Sequence, residues 1–181
     1  MRISHRRAAR AAAPSVLVAV LALAGVQAAA QSADAAPKKA TAITACTTAK
    51  TKVTVTPVTR PINHLLLKAT NTSSKPCYAY GAPYLRAGAG AQSSLVWDRN
   101  SIPQAVVTLA PGESAYAGIG TYTPDGVHTY KAKTLGVFFS NRAMNGSVGA
   151  EKTLKLPHGG VYFNSAASVT YWQNSVEDAL N

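Results

Sequence analysis

Strict alternation of apolar and polar residues is the feature of this sequence that most restricts its fold. In segment 52–56, Lys-Val-Thr-Val-Thr, the valines fall on one side and the polar residues on the other. Segment 64–70 repeats the pattern, with Leu65, Leu67 and Ala69 on one side. Successive side chains of a β-strand point to opposite faces, so a period of two is typical of a strand with one buried face. The two segments are predicted to be neighbouring strands with these three side chains in the core.

Clusters of turn residues separate further segments of the same kind along the chain. The other predicted strands are Cys77–Tyr80, with Cys77 and Ala79 inward, Ser94–Trp97, Ala105–Leu109, Ser114–Ile119, Thr134–Phe139, Lys152–Leu156 and Val169–Trp172. Only Ser175 to Leu180 is expected to form a helical turn. Seven to nine short strands predict an all-β protein, an antiparallel two-sheet sandwich with a closed barrel as the alternative.

Two turns are predicted from their chemistry. Pro111-Gly112 separates two alternating runs, and because proline fixes φ and glycine permits positive φ, the pair predicts a β-hairpin. Gly81-Ala82-Pro83 is expected to bend the chain after the strand that begins at Cys77.

The amino terminus has the three-part pattern of a secretion signal. Arginines are followed by an apolar run from Ala11 to about Ala24 and then by small residues. Ala33-Asp34-Ala35 is the preferred cleavage site over Ala28-Ala29-Ala30, which makes 1–35 a signal peptide. A membrane anchor is the alternative, but the run is shorter than the roughly 20 residues that span a bilayer. Residues 36–45 are predicted to be a flexible linker, and 46–181 the β-domain.

Cys46 and Cys77 are the only cysteines. In an oxidising compartment an even pair predicts one disulfide, here pinning the amino-terminal edge of the domain. A pair of metal-binding or catalytic thiols is the alternative, and the Cys-x-x-Cys spacing that would favour it is missing.

The chain carries 18 Lys and Arg against 7 Asp and Glu, a formal charge of +11. Removal of the leader takes away four of the arginines, so the processed chain stays basic. Such a surplus favours encounters with anionic partners, of which a cell-wall polymer or an extracellular protein is expected. A nucleic-acid partner is not expected, because the basic residues form no run that would follow phosphates.

Several motifs occur in a family-like order: Cys46-Thr47-Thr48, Asn71-Thr72 with Cys77 five residues later, Gly81-Ala82-Pro83, and Leu109-Ala110-Pro111-Gly112. The set resembles the secreted bacterial family known as domain of unknown function 4232, abundant in high-GC Gram-positive bacteria. The resemblance covers 46–156 and leaves 157–181 as a divergent tail. It implies an extracellular immunoglobulin-like sandwich with paired cysteines and brings no catalytic residues.

A search for catalytic chemistry finds no motif. Most acidic residues lie in turn or terminal contexts, as Glu113 and Asp125 do, and no carboxylate pair of the glycosidase type is evident. His64, His128 and His158 lack the spacing of metal ligands, so no catalytic residue, metal or cofactor is predicted.

Tyrosines are the better candidates for binding. Tyr78, Tyr80 and Tyr116 have the opposite parity to buried alanines, and Tyr84 lies close by, so some rings are expected on an outer sheet face. Exposed tyrosines offer large contact areas at low entropic cost. The alternative is that these four rings cover sheet edges or complete the core.

The sequence thus predicts a secreted, non-catalytic β-sandwich that binds at or near the cell envelope, with no membrane span after cleavage. One alternative is an extracellular enzyme or metal-handling protein in which His64, His128 and scattered acids meet only after folding. Another is a secreted enzyme inhibitor that uses the loop Ala87 to Gln92 as bait.

Overall fold

The computed structural model describes residues 42–181. The predicted signal peptide, 1–35, and residues 36–41 of the predicted linker lie outside the described residues, and these assignments stay predictions. The predicted linker is too long at its carboxyl end, because Thr44–Ala45 already forms a strand that pairs with Cys77 and Tyr78.

Twelve strands and one short α-helix make up the described chain, together with three 3₁₀ turns. The strands are β1 Thr44–Ala45, β2 Thr51–Pro57, β3 His64–Asn71, β4 Cys77–Ala87, β5 Val96–Asp98, β6 Val107–Leu109, β7 Ser114–Gly120, β8 Tyr130–Ala132, β9 Thr134–Ser140, β10 Ser147–Lys155, β11 Val161–Phe163 and β12 Ser168–Thr170, and the helix is α1 Val176–Leu180. Each predicted strand has a counterpart here. The three that sequence reasoning missed, β1, β8 and β11, have only two or three residues each.

The strands form two five-stranded sheets and a small ribbon. The front sheet has the order β1-β4-β9-β10, with β6 also paired to β4, and the back sheet has the order β2-β3-β7-β12-β5. Strands β8 and β11 form a separate antiparallel ribbon. The predicted two-sheet sandwich is confirmed. Its pairing is antiparallel apart from two short parallel ladders, β1 with β4 and β5 with β12.

The core lies between the two sheets, where the alternation places it. Leu65, Leu67 and Ala69 of β3 are buried, as predicted, and so are Cys77 and Ala79 of β4. Burying apolar side chains on facing sheets is the main favourable term in forming such a sandwich, at roughly 25 cal/mol per Å².

The sequence predicts that Gly81-Ala82-Pro83 bends the chain after the strand that begins at Cys77. In the structure the strand does not end there. Strand β4 continues to Ala87, and its pairing with β9 shifts register between Tyr80 and Tyr84. A β-bulge accommodates the irregular residues while the ladder resumes beyond them. The parity of β4 is the same on both sides of the bulge: Tyr84 and Arg86 are half-buried, as Tyr78 and Tyr80 are, while Leu85 and Ala87 are buried.

The predicted Pro-Gly hairpin is wrong. Strand β6 pairs with β4 in the front sheet, whereas β7 pairs with β3 and β12 in the back sheet. The turn at Pro111-Gly112 therefore connects the two layers. Turn chemistry specifies a reversal of the chain but leaves open which strands pair. Here the turn is held by hydrogen bonds of Asn71 to Leu109, Gly112 and Glu113.

The carboxyl-terminal tail closes the sandwich at one side. Trp172 is fully buried, with its ring stacked on Phe139 at a centroid separation of 5.2 Å. Its backbone N–H donates to the front sheet at the Gly81 carbonyl oxygen, 2.9 Å away, while Gln173 exchanges two backbone hydrogen bonds with Tyr116 of the back sheet. The tail thus ties the two sheets together.

Helix α1 then packs on the outer face of the back sheet. A Cβ at Gly118 of β7 would collide with the carbonyl oxygen of Ala179, so the close approach requires glycine there. Ser175 caps the helix by accepting a hydrogen bond from the Asp178 amide at 3.0 Å. Among residues 42–181, no helix has the length and apolar content to cross a membrane.

Candidate functional site

The two cysteines form the predicted disulfide, and both are buried. Cys46 follows β1 directly, and its amide donates to the Tyr78 carbonyl oxygen at 2.8 Å. Cys77 is the first residue of β4. The bridge fastens the amino-terminal strand to its neighbour in the front sheet, so these sulfur atoms have a structural role.

Three of the four candidate tyrosines lie on one strand of the front sheet. Tyr78, Tyr80 and Tyr84 are half-buried positions of β4, and each follows a residue that is buried. The rings of Tyr78 and Tyr80 lie 5.4 Å apart. Tyr84 pairs across the sheet with Phe138, which is also half-buried. We call these four residues the aromatic face, because their rings lie on the outer side of the front sheet.

Two contacts fix the end of the aromatic face around Tyr84. The Tyr84 hydroxyl donates to the Met144 carbonyl oxygen at 3.2 Å, and its ring lies 4.7 Å from that of Trp97. The Trp97 indole N–H in turn donates to the Pro83 carbonyl oxygen at 3.1 Å. Tyr84 is therefore anchored, whereas Tyr78 and Tyr80 contact each other.

Tyr116 lies elsewhere. It belongs to β7 of the back sheet, where it pairs with Lys68 of β3. The Lys68 ammonium lies 5.8 Å from the centre of the Tyr116 ring, within the range of a cation–π contact. The four tyrosines predicted as one binding group thus occupy two different sheets.

Asn71, which opens one of the sequence motifs, is fully buried and organises the turns around it. Its side-chain amide donates to the carbonyl oxygens of Lys75 and Leu109, at 2.8 and 2.9 Å. Its side-chain oxygen accepts from the amide and the hydroxyl of Ser73, at 3.0 and 2.8 Å.

The backbone of Asn71 forms hydrogen bonds to the turn of the Leu109-Ala110-Pro111-Gly112 motif. Its N–H donates to the Glu113 carbonyl oxygen and its carbonyl oxygen accepts from the Gly112 amide, both at 2.8 Å. The Asn-Thr and Leu-x-Pro-Gly motifs therefore meet at one buried residue. Their hydrogen-bonding capacity is used within the fold, which makes them structural motifs rather than a ligand site.

A groove of about 630 Å³ opens at one end of the sandwich, where three loops meet. We call it the end groove. The segments are 57–65, 121–129 and 157–162, the first and the last of which include the ends of the strands that flank the loop. The lining residues are Pro57, Val58, Asn63, His64, Leu65, Thr121, Tyr122, Thr129, Pro157, His158, Gly160, Val161 and Tyr162.

Two of the loops are held in left-handed backbone conformations at the groove. Asn63 has φ of 56° and His158 has φ of 52°. The Asn63 carbonyl oxygen accepts hydrogen bonds from both the amide and the hydroxyl of Thr121, at 2.9 and 2.8 Å, which ties the first loop to the second. Non-glycine residues with such φ values are uncommon and concentrate at functional sites.

Imidazole, phenol and apolar side chains line the end groove. Two imidazoles, His64 and His158, and two phenols, Tyr122 and Tyr162, line it together with apolar side chains, and the lining includes no carboxylate. The His64 ring is oriented by its Nδ1, which donates to the Ile62 carbonyl oxygen at 2.7 Å. The ammonium of Lys131 lies over the Tyr162 ring, 5.7 Å from its centre.

Sequence reasoning missed this site. It weighed His64 with His128 and the scattered acids, whereas the structure brings His64 together with His158. The available signals were weak: Asn63 before His64, and His158 before two glycines, are residue types that tolerate left-handed backbone. Within residues 42–181, no group of three or more His, Cys, Asp or Glu side chains is arranged to hold a metal ion.

A second cavity, of about 750 Å³, is lined by the loop Ala87 to Gln92, the candidate bait of the inhibitor alternative. Arg86 holds this loop from below, because its Nε and Nη2 both donate to the Ala91 carbonyl oxygen, at 3.0 and 2.7 Å. The guanidinium also pairs with Glu151 at 3.3 Å, an ion pair exposed enough to contribute little to stability.

Comparison with known families settles the resemblance. The family model described as Domain of unknown function (DUF4232) matches residues 46–173. The chain belongs to this family. No curated protein and no solved structure matches the chain significantly.

The DUF4232 match also corrects a boundary. Sequence reasoning ended the family-like core at Leu156 and treated 157–181 as a divergent tail, but the match continues to Gln173. Its last part includes Trp172, which fills the core and stacks on Phe139. The DUF4232 domain needs that residue to complete its interior, so the tail is part of the fold up to this point.

Proposed function

We propose that this DUF4232 protein is exported and acts as a non-catalytic binding module at or near the cell envelope, using the aromatic face. The observation that carries the proposal is the aromatic face itself, a set of half-buried rings on one outer sheet face. Tyrosines of this kind bring a large contact area and a hydroxyl to a surface at low entropic cost.

Export is supported by two features. The leader pattern of residues 1–35 is that of a cleavable signal. A buried disulfide between Cys46 and Cys77 is typical of proteins in oxidising compartments.

The positive charge of the chain supports an anionic partner. Coulombic attraction of exposed lysines to a wall polymer raises encounter rates and weakens with salt, since the screening length falls to about 8 Å at physiological ionic strength. The aromatic face would then supply short-range contacts with sugar rings or apolar side chains.

The test is sedimentation of the folded domain with purified cell-wall fragments of its own species, at low and at high salt. The variant Tyr78→Thr/Tyr80→Thr keeps residue types that suit strands, and Tyr116→Thr on the back sheet is the matched control. The proposal expects binding that salt weakens, loss of most of it in the double variant, and retention in the control. Equal binding by all three proteins would refute the role of the aromatic face, and no retention at low salt would refute the envelope partner.

A further inference from the structure

Strand β2 forms one edge of the back sheet, and β5 forms the other. An edge strand presents backbone N–H and C=O groups that no neighbouring strand pairs, so it can accept a strand from another chain. The edge strands β1, β5 and β6 have only two or three residues each. Strand β10 is longer, but its pairing shifts register between Val148 and Lys152. Among the described strands, β2 is therefore the edge that is both long and regular.

The hydrogen bonds between β2 and β3 show which backbone groups of β2 face outward. The seven residues of β2 pair with β3 without a bulge. Just beyond the two ends of β2, the Thr72 amide donates to the Lys50 carbonyl oxygen at 2.9 Å, and the Val58 amide donates to the His64 carbonyl oxygen at 3.3 Å. Hydrogen-bonded pairs alternate along an antiparallel ladder. The even-numbered residues of β2 therefore bond to β3, and the backbone groups of the odd-numbered ones point away from it.

Val53 and Val55 carry the outward backbone groups at the centre of this edge. Within residues 42–181, β3 is the one strand that pairs with β2. The side chains of these valines point to the core, where Val53 is buried and Val55 is partly buried. A strand added at this edge would gain backbone hydrogen bonds and cover the rest of the Val55 side chain.

The sequence of β2 reads almost the same in both directions from Thr54. Val53 and Val55 flank this residue, and Lys52 and Thr56 follow on either side. If two copies pair antiparallel about an axis at Thr54, Val53 lies opposite Val55 of the second copy, and Lys52 lies opposite Thr56 of the second copy. No like charges then face each other, and the valines of both copies stay on the core side. This symmetry selects a second copy as the occupant, because a two-fold interface joins one surface to itself.

We propose that β2 is a self-association edge, through which two copies join their back sheets into one continuous sheet. The outer side chains of both β2 strands lie on the same side of the joined sheet, so both front sheets lie on the other side. The dimer therefore turns its two aromatic faces in the same direction. This arrangement would add avidity to the binding proposed above, although the self-association does not depend on that function.

Sedimentation velocity of the folded protein, from micromolar to millimolar concentration, measures the self-association. Thr54→Lys brings two ammonium groups together at the axis, so it should raise the dimer Kd about fivefold at low salt and less at high salt. Thr56→Glu places a carboxylate opposite Lys52 of the second copy on both sides of the axis, and should lower the Kd about two- to tenfold. Thr108→Lys makes the same change as the first variant at an exposed position of β6, and should leave the Kd unchanged.

A crosslink tests the register of the two strands. Thr54 should face Thr54 of the second copy in a non-hydrogen-bonded pair, whose Cα atoms lie about 4.5 Å apart, which is within the reach of a disulfide. Oxidised glutathione should therefore convert Thr54→Cys into a covalent dimer. Lys52→Cys should crosslink far less, because its counterpart is displaced along the strand. The native bridge of Cys46 and Cys77 is buried, so it should not take part.

Three results would overturn the proposal. A protein that stays monomeric at millimolar concentration refutes it, whether or not β2 accepts a strand of some other protein. A dimer whose Kd is unaffected by Thr54→Lys, or equal crosslinking of Thr54→Cys and Lys52→Cys, would place the contact elsewhere. Circular dichroism and unfolding curves establish that each variant is folded, and the gain expected for Thr56→Glu is a change that misfolding would not produce.

Discussion

Asn71→Asp is the substitution that most directly tests whether the sequence motifs are structural. The change is isosteric, but it replaces an amide that donates to Lys75 and Leu109 with a carboxylate oxygen facing the same two carbonyl oxygens. Loss of the buried hydrogen bond to Leu109 should cost about 1–3 kcal/mol and loss of the part-buried one to Lys75 somewhat less, so the free energy of unfolding should fall by about 2–4 kcal/mol at pH 7. For a domain of this size the melting temperature should fall by on the order of 10 °C.

The penalty should depend on pH, with a sign that follows from burial. Asn71 is fully buried, so an aspartate there has its pKa raised above the usual value of about 3.9. Below about pH 4 the carboxyl is protonated in both folded and unfolded chains, and its O–H can donate to one of the two carbonyl oxygens. Above that pH the unfolded chain ionises first, so the stability deficit grows until the pH passes the raised folded pKa.

Urea unfolding at several pH values, followed by tryptophan fluorescence, measures both effects. Asn174→Asp is the control, since it makes the same change of charge at an exposed position. If Asn71→Asp unfolded within 1 kcal/mol of the wild type at pH 7, the reasoning about the motifs would be wrong.

Two further predictions concern the core and the crosslink. Trp172→Ala should lower the free energy of unfolding by about 3–5 kcal/mol, because it leaves a cavity beside Phe139. Thermal unfolding measures the loss, and Val176→Ala, at an exposed position, is the control. Replacing both Cys46 and Cys77 with alanine should lower the free energy of unfolding by about 3–4 kcal/mol, the chain-entropy value for a sequence separation of 31. The denaturant midpoint should fall accordingly. An unchanged midpoint would contradict the structural role assigned to the disulfide.

The layers of this fold could be predicted from the sequence because alternation records burial directly. Leu65, Leu67 and Ala69 were assigned to the core from their spacing alone, and all three are buried. The pairing of strands was harder, as the segments around Pro111-Gly112 show. Local residues specify that the chain reverses there, whereas the strands that pair with the two segments, β4 and β3, lie far away in the sequence.

Most of the candidate site could not be predicted from the sequence, because its residues come together only through contacts between distant segments. Parity placed Tyr78 and Tyr80 on an outer face, but it could not show that Tyr116 belongs to the other sheet. The end groove brings His64 and His158 together from loops almost a hundred positions apart. No periodic pattern relates such residues, since only the completed sandwich places the two loops at the same end.

The motif residues and the residues of the end groove lie in different parts of this DUF4232 domain. Asn71 and Gly112 hydrogen-bond to each other and Cys77 is crosslinked to Cys46, so a change in any of these motif residues should affect stability first. Tyr162 of β11 and His158 of the turn before it line the end groove and are exposed, so substitutions there should have little effect on the core. The scaffold should therefore tolerate changes at the end groove better than changes at its turns and its disulfide.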